Sequence, residues 1–107
     1  MKVYICGPTD QELRQTQERF AHWENNLREL GYEVINPMSF DHAKAWGDDQ
    51  EERLKQVAKC DCIFLLNSWY RSAIARKELV YAQLNGLKFY TELSYNIIEF
   101  ACSHQLT

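Results

Sequence analysis

No stretch of this chain is apolar for long enough to cross a bilayer. The longest apolar run, Cys62–Leu66, falls far short of the roughly 20 residues a spanning helix needs. A basic surplus is also missing. Twelve Lys and Arg stand against fifteen Asp and Glu, a formal charge of −3, so nothing in the composition draws a polymeric nucleic acid or an anionic membrane. There is no repeat, low-complexity tract or linker, and 107 residues make one small domain spanning the whole chain. Metal-ligand spacing is lacking too. The cysteines lie at 6, 60, 62 and 102, and Cys60-Asp61-Cys62 has one intervening residue where a zinc knuckle needs two to four. His22, His42 and His104 are scattered. Met1-Lys2-Val3-Tyr4 runs straight into a strand-like segment with no secretory signal, which predicts a cytoplasmic, reducing location with the cysteines as small buried hydrophobes.

What the chain does have is alternation. Lys2–Cys6 is a β-rich apolar run stopped by Gly7-Pro8. Asp10 can cap a helix whose Leu13, Phe20, Trp23, Leu27 and Leu30 form one apolar stripe, with Gly31 as its C-terminal cap. Glu33–Asn36 is a short second strand broken by Pro37. A loop over Met38–Gly47 follows, and Asp48-Asp49 then open a helix through Lys59. Cys62–Asn67 is almost uniformly apolar, as a strand covered on both faces requires. Ser72 caps a helix to Asn85, Gly86 terminates it, and Leu87–Thr91 makes a fourth strand. Ser94 and Tyr95 open a last helix through about Ser103.

This βαβαβαβα order predicts an α/β fold: an open parallel sheet of four strands between two helix layers, flavodoxin-like, in the order 2-1-3-4. Such sheets bind ligands at the carboxyl ends of the strands beside the switch point. Here those ends are Cys6-Gly7-Pro8-Thr9 and Asn67-Ser68-Trp69-Tyr70.

Glu78 is the most informative residue. Ile74, Ala75, Leu79, Ala82 and Gly86 form the stripe that must meet the sheet, and Glu78 stands inside it. A carboxylate in an apolar stripe loses solvation, so it must find partners, protonate or do chemistry. Arg76, Lys77 and Gln83 lie off the stripe, as solvent residues should.

Three segments carry a family resemblance over residues 2 to about 91. Val3-Tyr4-Ile5-Cys6-Gly7-Pro8 resembles the opening strand and loop of nucleoside 2-deoxyribosyltransferases and the related deoxynucleotide N-glycosidases. Cys60-Asp61-Cys62-Ile63-Phe64-Leu65-Leu66 looks like their third strand. Ser68-Trp69-Tyr70-Arg71-Ser72-Ala73-Ile74-Ala75-Arg76-Lys77-Glu78 is similar to G-W-x-x-S-x-G-A-x-x-E, the pattern of a small bacterial and phage branch. The resemblance implies that Glu78 is a nucleophile attacking the anomeric carbon of a (deoxy)ribose, with a covalent glycosyl-enzyme resolved by water or a second base. It implies that Tyr4 positions Glu78, and that Gly7, Pro8, Thr9, Ser68, Trp69, Arg71 and Ser72 surround the substrate. Ser72, at a helix N-terminus, falls where relatives contact sugar or phosphate. No cofactor and no metal enter this chemistry.

The sequence also departs from the pattern. Arg53 occupies the position of the Asp that protonates the leaving base, with Glu52 or Asp49 as substitutes after a register shift. Ser68 stands for Gly, Tyr70 for a polar residue, Ile74 for the Gly that starts the helix, and Pro8 for a phosphate-touching Ser. Two readings follow: a nucleoside or nucleotide N-glycosidase or deoxyribosyltransferase, or a non-catalytic nucleotide-binding or regulatory protein that keeps the pocket. Either way the partner is a small nucleoside or nucleotide. A homodimer or higher even oligomer is expected, because the resemblance implies pockets completed by a neighbour. Trp46, Trp69, Tyr70, Tyr81 and Phe100 offer aromatic surface for that interface. The third helix and the loop before it are the expected contact, with Tyr95–Ser103 as the alternative.

Overall fold

In a computed structural model, described here over residues 1–9, 13–39 and 50–93, four parallel strands line up as β2-β1-β3-β4. They are β1 (Lys2–Cys6), β2 (Glu33–Ile35), β3 (Cys62–Leu65) and β4 (Lys88–Thr91). Three helices connect them: α1 (Leu13–Glu29), α2 (Gln50–Ala58) and α3 (Ala73–Leu84), with a single 3-10 turn at Trp69–Arg71. The expected α/β fold and strand order are therefore those observed. β1 pairs with β3 in the register Val3↔Cys62 to Cys6↔Leu65, and with β2 from Lys2↔Glu33 to Tyr4↔Ile35.

Strand alternation sorts side chains onto two faces. Val3, Ile5, Cys62, Phe64 and Leu66 face α1, where Phe20 and Leu27 are buried against them and Trp23 lies 5.2 Å from the Phe64 ring. Tyr4, Cys6, Ile63 and Leu65 face α2 and α3, where Val57, Ala75 and Ala82 are buried. Every residue of β3 is buried, as a strand covered on both sides requires.

Two helices end the same way. The Gly31 N–H (φ 92°) bonds the Arg28 carbonyl and the Tyr32 N–H bonds that of Leu27; Gly86 (φ 76°) and Leu87 repeat the arrangement on Gln83 and Ala82. These are Schellman closures, which need a left-handed residue that glycine supplies without strain. Each hands the chain to the next strand.

Several details differ from the sequence reading. β3 stops at Leu65: the Leu66 N–H still bonds the Cys6 carbonyl, but the Asn67 N–H turns to the Glu92 carboxylate. β2 stops before Asn36, whose side chain accepts from the Met38 N–H and donates to Glu24. Leu13 is 58% exposed and not part of the α1 stripe, and Gly86 is exposed. The proposed caps Asp10 and Asp48-Asp49, most of the loop 40–47, and the final helix from Ser94 lie outside the described residues. Among the described residues no helix is long and apolar enough to cross a membrane.

Candidate functional site

The strand order reverses direction between β1 and β3, and α3 packs over that seam. Ser72 starts α3: its hydroxyl oxygen accepts the Ala75 N–H at 3.2 Å, and its carbonyl accepts the Arg76 N–H. That cap fixes the rotation of the helix, and the second turn then carries Glu78 inward. Glu78 is only 3% exposed and Tyr4, from the middle of β1, is fully buried.

The two side chains face each other. The Tyr4 hydroxyl is coupled to the Glu78 carboxyl, yet neither that hydroxyl nor Glu78 Oε2 has a hydrogen-bond partner of good geometry. Burial drives the Glu78 carboxyl up from an ordinary 4.5 to about 7, with Tyr4 and then Arg53 opposing the rise. The Tyr4 hydroxyl is held well above 10, first by burial and then by Glu78. Cys6 is buried beneath the pair; its Sγ–H donates to the Ala75 carbonyl at 3.4 Å, and burial with the Glu78 charge keeps it a thiol.

Arg53 is the residue whose role the sequence reading missed. It is 5% exposed on α2, donates to the Met38 thioether at 3.8 Å, and lines one small cavity with Glu78, Gln50, Leu54, Ile74 and Lys77. The signal was available: Arg53, Val57 and Cys60 share the spacing of a buried stripe, the same logic that singled out Glu78. The cavity measures about 10 Å³, room for about one water molecule.

The other expected site residues divide into two groups. Gly7 and Pro8 are buried and Thr9 half-buried at the end of β1, while Ser68 opens the 3-10 turn in the left-handed region at φ 68°. Trp69 is half-buried against the α3 face of the sheet, and Ser72 is buried at its cap. Arg71 stands apart: it is exposed, with its guanidinium 5.8 Å above the Tyr70 ring. Tyr70 is 55% exposed and Tyr81 half-buried, while Trp46 and Phe100 lie outside the described residues.

An open parallel α/β sheet with a buried carboxylate and phenol at its switch point defines the class. Within that class the chain belongs to a family described as a domain of unknown function, DUF4406, whose model matches residues 1–91. No curated protein and no solved structure matches it.

Proposed function

We propose that the protein cleaves the N-glycosidic bond of a nucleoside or nucleoside 5′-monophosphate, or transfers the deoxyribosyl group, through a covalent bond to Glu78. The observation that supports this most directly is the pair of open polar atoms, Tyr4 Oη and Glu78 Oε2, buried at the β1–β3 switch point. A purely structural carboxylate that deep would be fully hydrogen-bonded. An Oε2 without a partner is available to attack, and the Tyr4 hydroxyl can hold the other carboxylate oxygen in line. The resemblance to nucleoside 2-deoxyribosyltransferases and deoxynucleotide N-glycosidases supports the same reading, since Tyr4 and Glu78 match their paired residues.

Ser72 suits a 5′-phosphate. Its oxygen already accepts from Ala75, so the hydroxyl proton remains to donate, at the N-terminus of α3, where the helix dipole favours an anion. A second copy of the chain is proposed to close the site. Val80 and Leu84, 55% and 79% exposed, line with Leu54 and Tyr81 an apolar groove that shares Leu54 and Lys77 with the Glu78 cavity. Light scattering decides between the dimer and a 12.7 kDa monomer.

The test is incubation with deoxynucleosides and their 5′-monophosphates, with and without a second free base, followed by chromatography for released base. Release should vanish in Glu78→Gln and should rise with pH through about 7 as the carboxyl ionises. Continued release by Glu78→Gln overturns the covalent mechanism. One observation favours the alternative of a non-catalytic nucleotide-binding protein: the small cavity beside Glu78 admits no sugar without movement. Nucleotide binding with no release by either protein establishes that alternative.

A further inference from the structure

The cavity beside Glu78 has an unusual wall for a site that must expel a base. Among the described residues its charged and polar lining, besides Glu78 itself, is Arg53, Lys77 and Gln50, alongside Leu54 and Ile74. None of these is a carboxylic acid, the group that protonates the departing atom in a displacement of this kind. The Tyr4 hydroxyl, held well above 10, is a poor acid. In a retaining displacement the group that assists departure sits about 5 Å across the anomeric carbon from the nucleophile. It therefore belongs in the same cavity on a different element. Arg53 lines that cavity from α2, while α3 carries Glu78.

Resting on the glycosyl reading above, we propose that Arg53, with Lys77 at the cavity's rim, receives a leaving group that departs as an anion. The substrates are then glycosides of acidic leaving groups, either uracil- or thymine-type imides or a sugar 1-phosphate, and not of adenine or cytosine. In the first step a Glu78 oxygen forms a C–O bond to the anomeric carbon. The bond to the leaving group breaks, and its electron pair stays on the departing nitrogen or phosphate oxygen as a negative charge paired by Arg53. Water then attacks the anomeric carbon, restoring the Glu78 carboxylate, and its remaining proton neutralises the released anion. A planar guanidinium suits an imide edge or a phosphate equally, since both present oxygen acceptors.

The experiment is a leaving-group series on the full chain: deoxyuridine, 5-fluorodeoxyuridine, thymidine, deoxycytidine, deoxyadenosine and deoxyribose 1-phosphate, measured in wild type, Arg53→Met and Arg53→Lys. Wild type should release 5-fluorouracil about tenfold faster than uracil and leave the adenine and cytosine nucleosides intact. The phosphate arm tells an imide site from a sugar-phosphate site. Arg53→Met should lose about a hundredfold on deoxyuridine, less on the fluorinated substrate, and Arg53→Lys should recover part of that loss.

Release of adenine as fast as uracil overturns the proposal and leaves the Glu78 reading standing. So does an Arg53→Met protein whose only change is an upward-moved acid limb of its pH profile, because Arg53 would then act on Glu78 alone. No release from any member of the series, nor from the 5′-monophosphates of its nucleosides, removes both. If Arg53→Met fails to fold, as circular dichroism would show, the wild-type series alone decides.

Discussion

The two faces of the sheet are built from alternate residues of the same strands, and they obey different rules. Toward α1, β1 sends Val3 and Ile5 into a cluster with Phe20, Leu27, Phe64 and Leu66, all apolar. Toward α2 and α3 the same strand sends Tyr4 and Cys6, and there the helices add Arg53 and Glu78 to the buried set. One face maximises burial; the other accepts a carboxyl, a guanidinium, a phenol and a thiol out of water. Because the strand period is two, a one-residue slip of β1 would exchange the faces. Its paired register with both neighbours is what keeps stability and chemistry separate.

The largest expected effect comes from breaking the apolar face. Phe64 is 2% exposed and its ring packs tilted against Trp23, so Phe64→Ala should remove about 3–5 kcal/mol by leaving a cavity in a close-packed layer. Urea denaturation measures it. The same variant, where still folded, should keep the chemistry proposed for Glu78, because the sheet lies between the Phe64 cluster and that side chain. Equal loss of activity per folded molecule would show that the faces are coupled.

The polar face should answer to pH. Glu78 ionises near 4.5 when unfolded and about 7 when folded. Between those values the folded state binds more protons, so stability is highest below about 4.5 and falls as pH rises to about 7, then levels off. The full penalty is about 3 kcal/mol at most. Glu78→Gln carries no such titration. Its stability relative to wild type should climb by up to that amount between pH 4.5 and 8, as thermal melts at both ends would show. A flat difference would mean that the carboxyl is solvated in the folded protein.

How much of this was legible in the sequence depends on the kind of signal. The sheet order followed from four apolar runs separated by helices, and Glu78 stood out because one charge interrupted an apolar stripe. Arg53 gave the same signal on α2, but compared with relatives it looked like a missing acid, and its burial beside Glu78 required the fold. The bounds of β1, Lys2–Cys6, were legible, but the end of β3 was not. Leu66 is as apolar as Leu65, and only the Glu92 carboxylate, 25 residues further on, explains why pairing ends at Asn67. Long-range polar partners of this kind leave no local periodicity to read.

At the seam joining both faces, Gly7 should show an effect of middle size. A Cβ there would lie 2.9 Å from both Cβ and Cδ1 of Leu66 and 3.1 Å from its Cγ, closer than real contacts allow. Gly7→Ala must push β1 and the end of β3 apart, which should cost about 1–3 kcal/mol. The displacement occurs where the proposed substrate would sit, so nucleotide affinity should fall as well. Unchanged stability in urea would mean that the backbone at Gly7 or Leu66 shifts at little cost, since no Leu66 rotamer moves its Cβ.

The smallest expected effect is a gain. Among the described residues three have φ in the left-handed region: Gly31 and Gly86, which close helices, and Ser68, which opens the turn into α3. The two structural positions use glycine, and the one beside the candidate site does not. Holding a serine there costs about 1–2 kcal/mol relative to the right-handed region. Glycine removes that strain but gives the unfolded chain about 0.5–1 kcal/mol of extra freedom. Ser68→Gly should therefore stabilise the protein by about 0.5–1 kcal/mol, while the Arg71 N–H keeps its bond to the residue 68 carbonyl, now 3.0 Å. A destabilised Ser68→Gly protein would show that the hydroxyl does structural work outweighing the strain. A stabilised protein with weakened phosphate binding would instead mark Ser68 as retained for the ligand, the same trade of stability for function proposed for Glu78 on a larger scale.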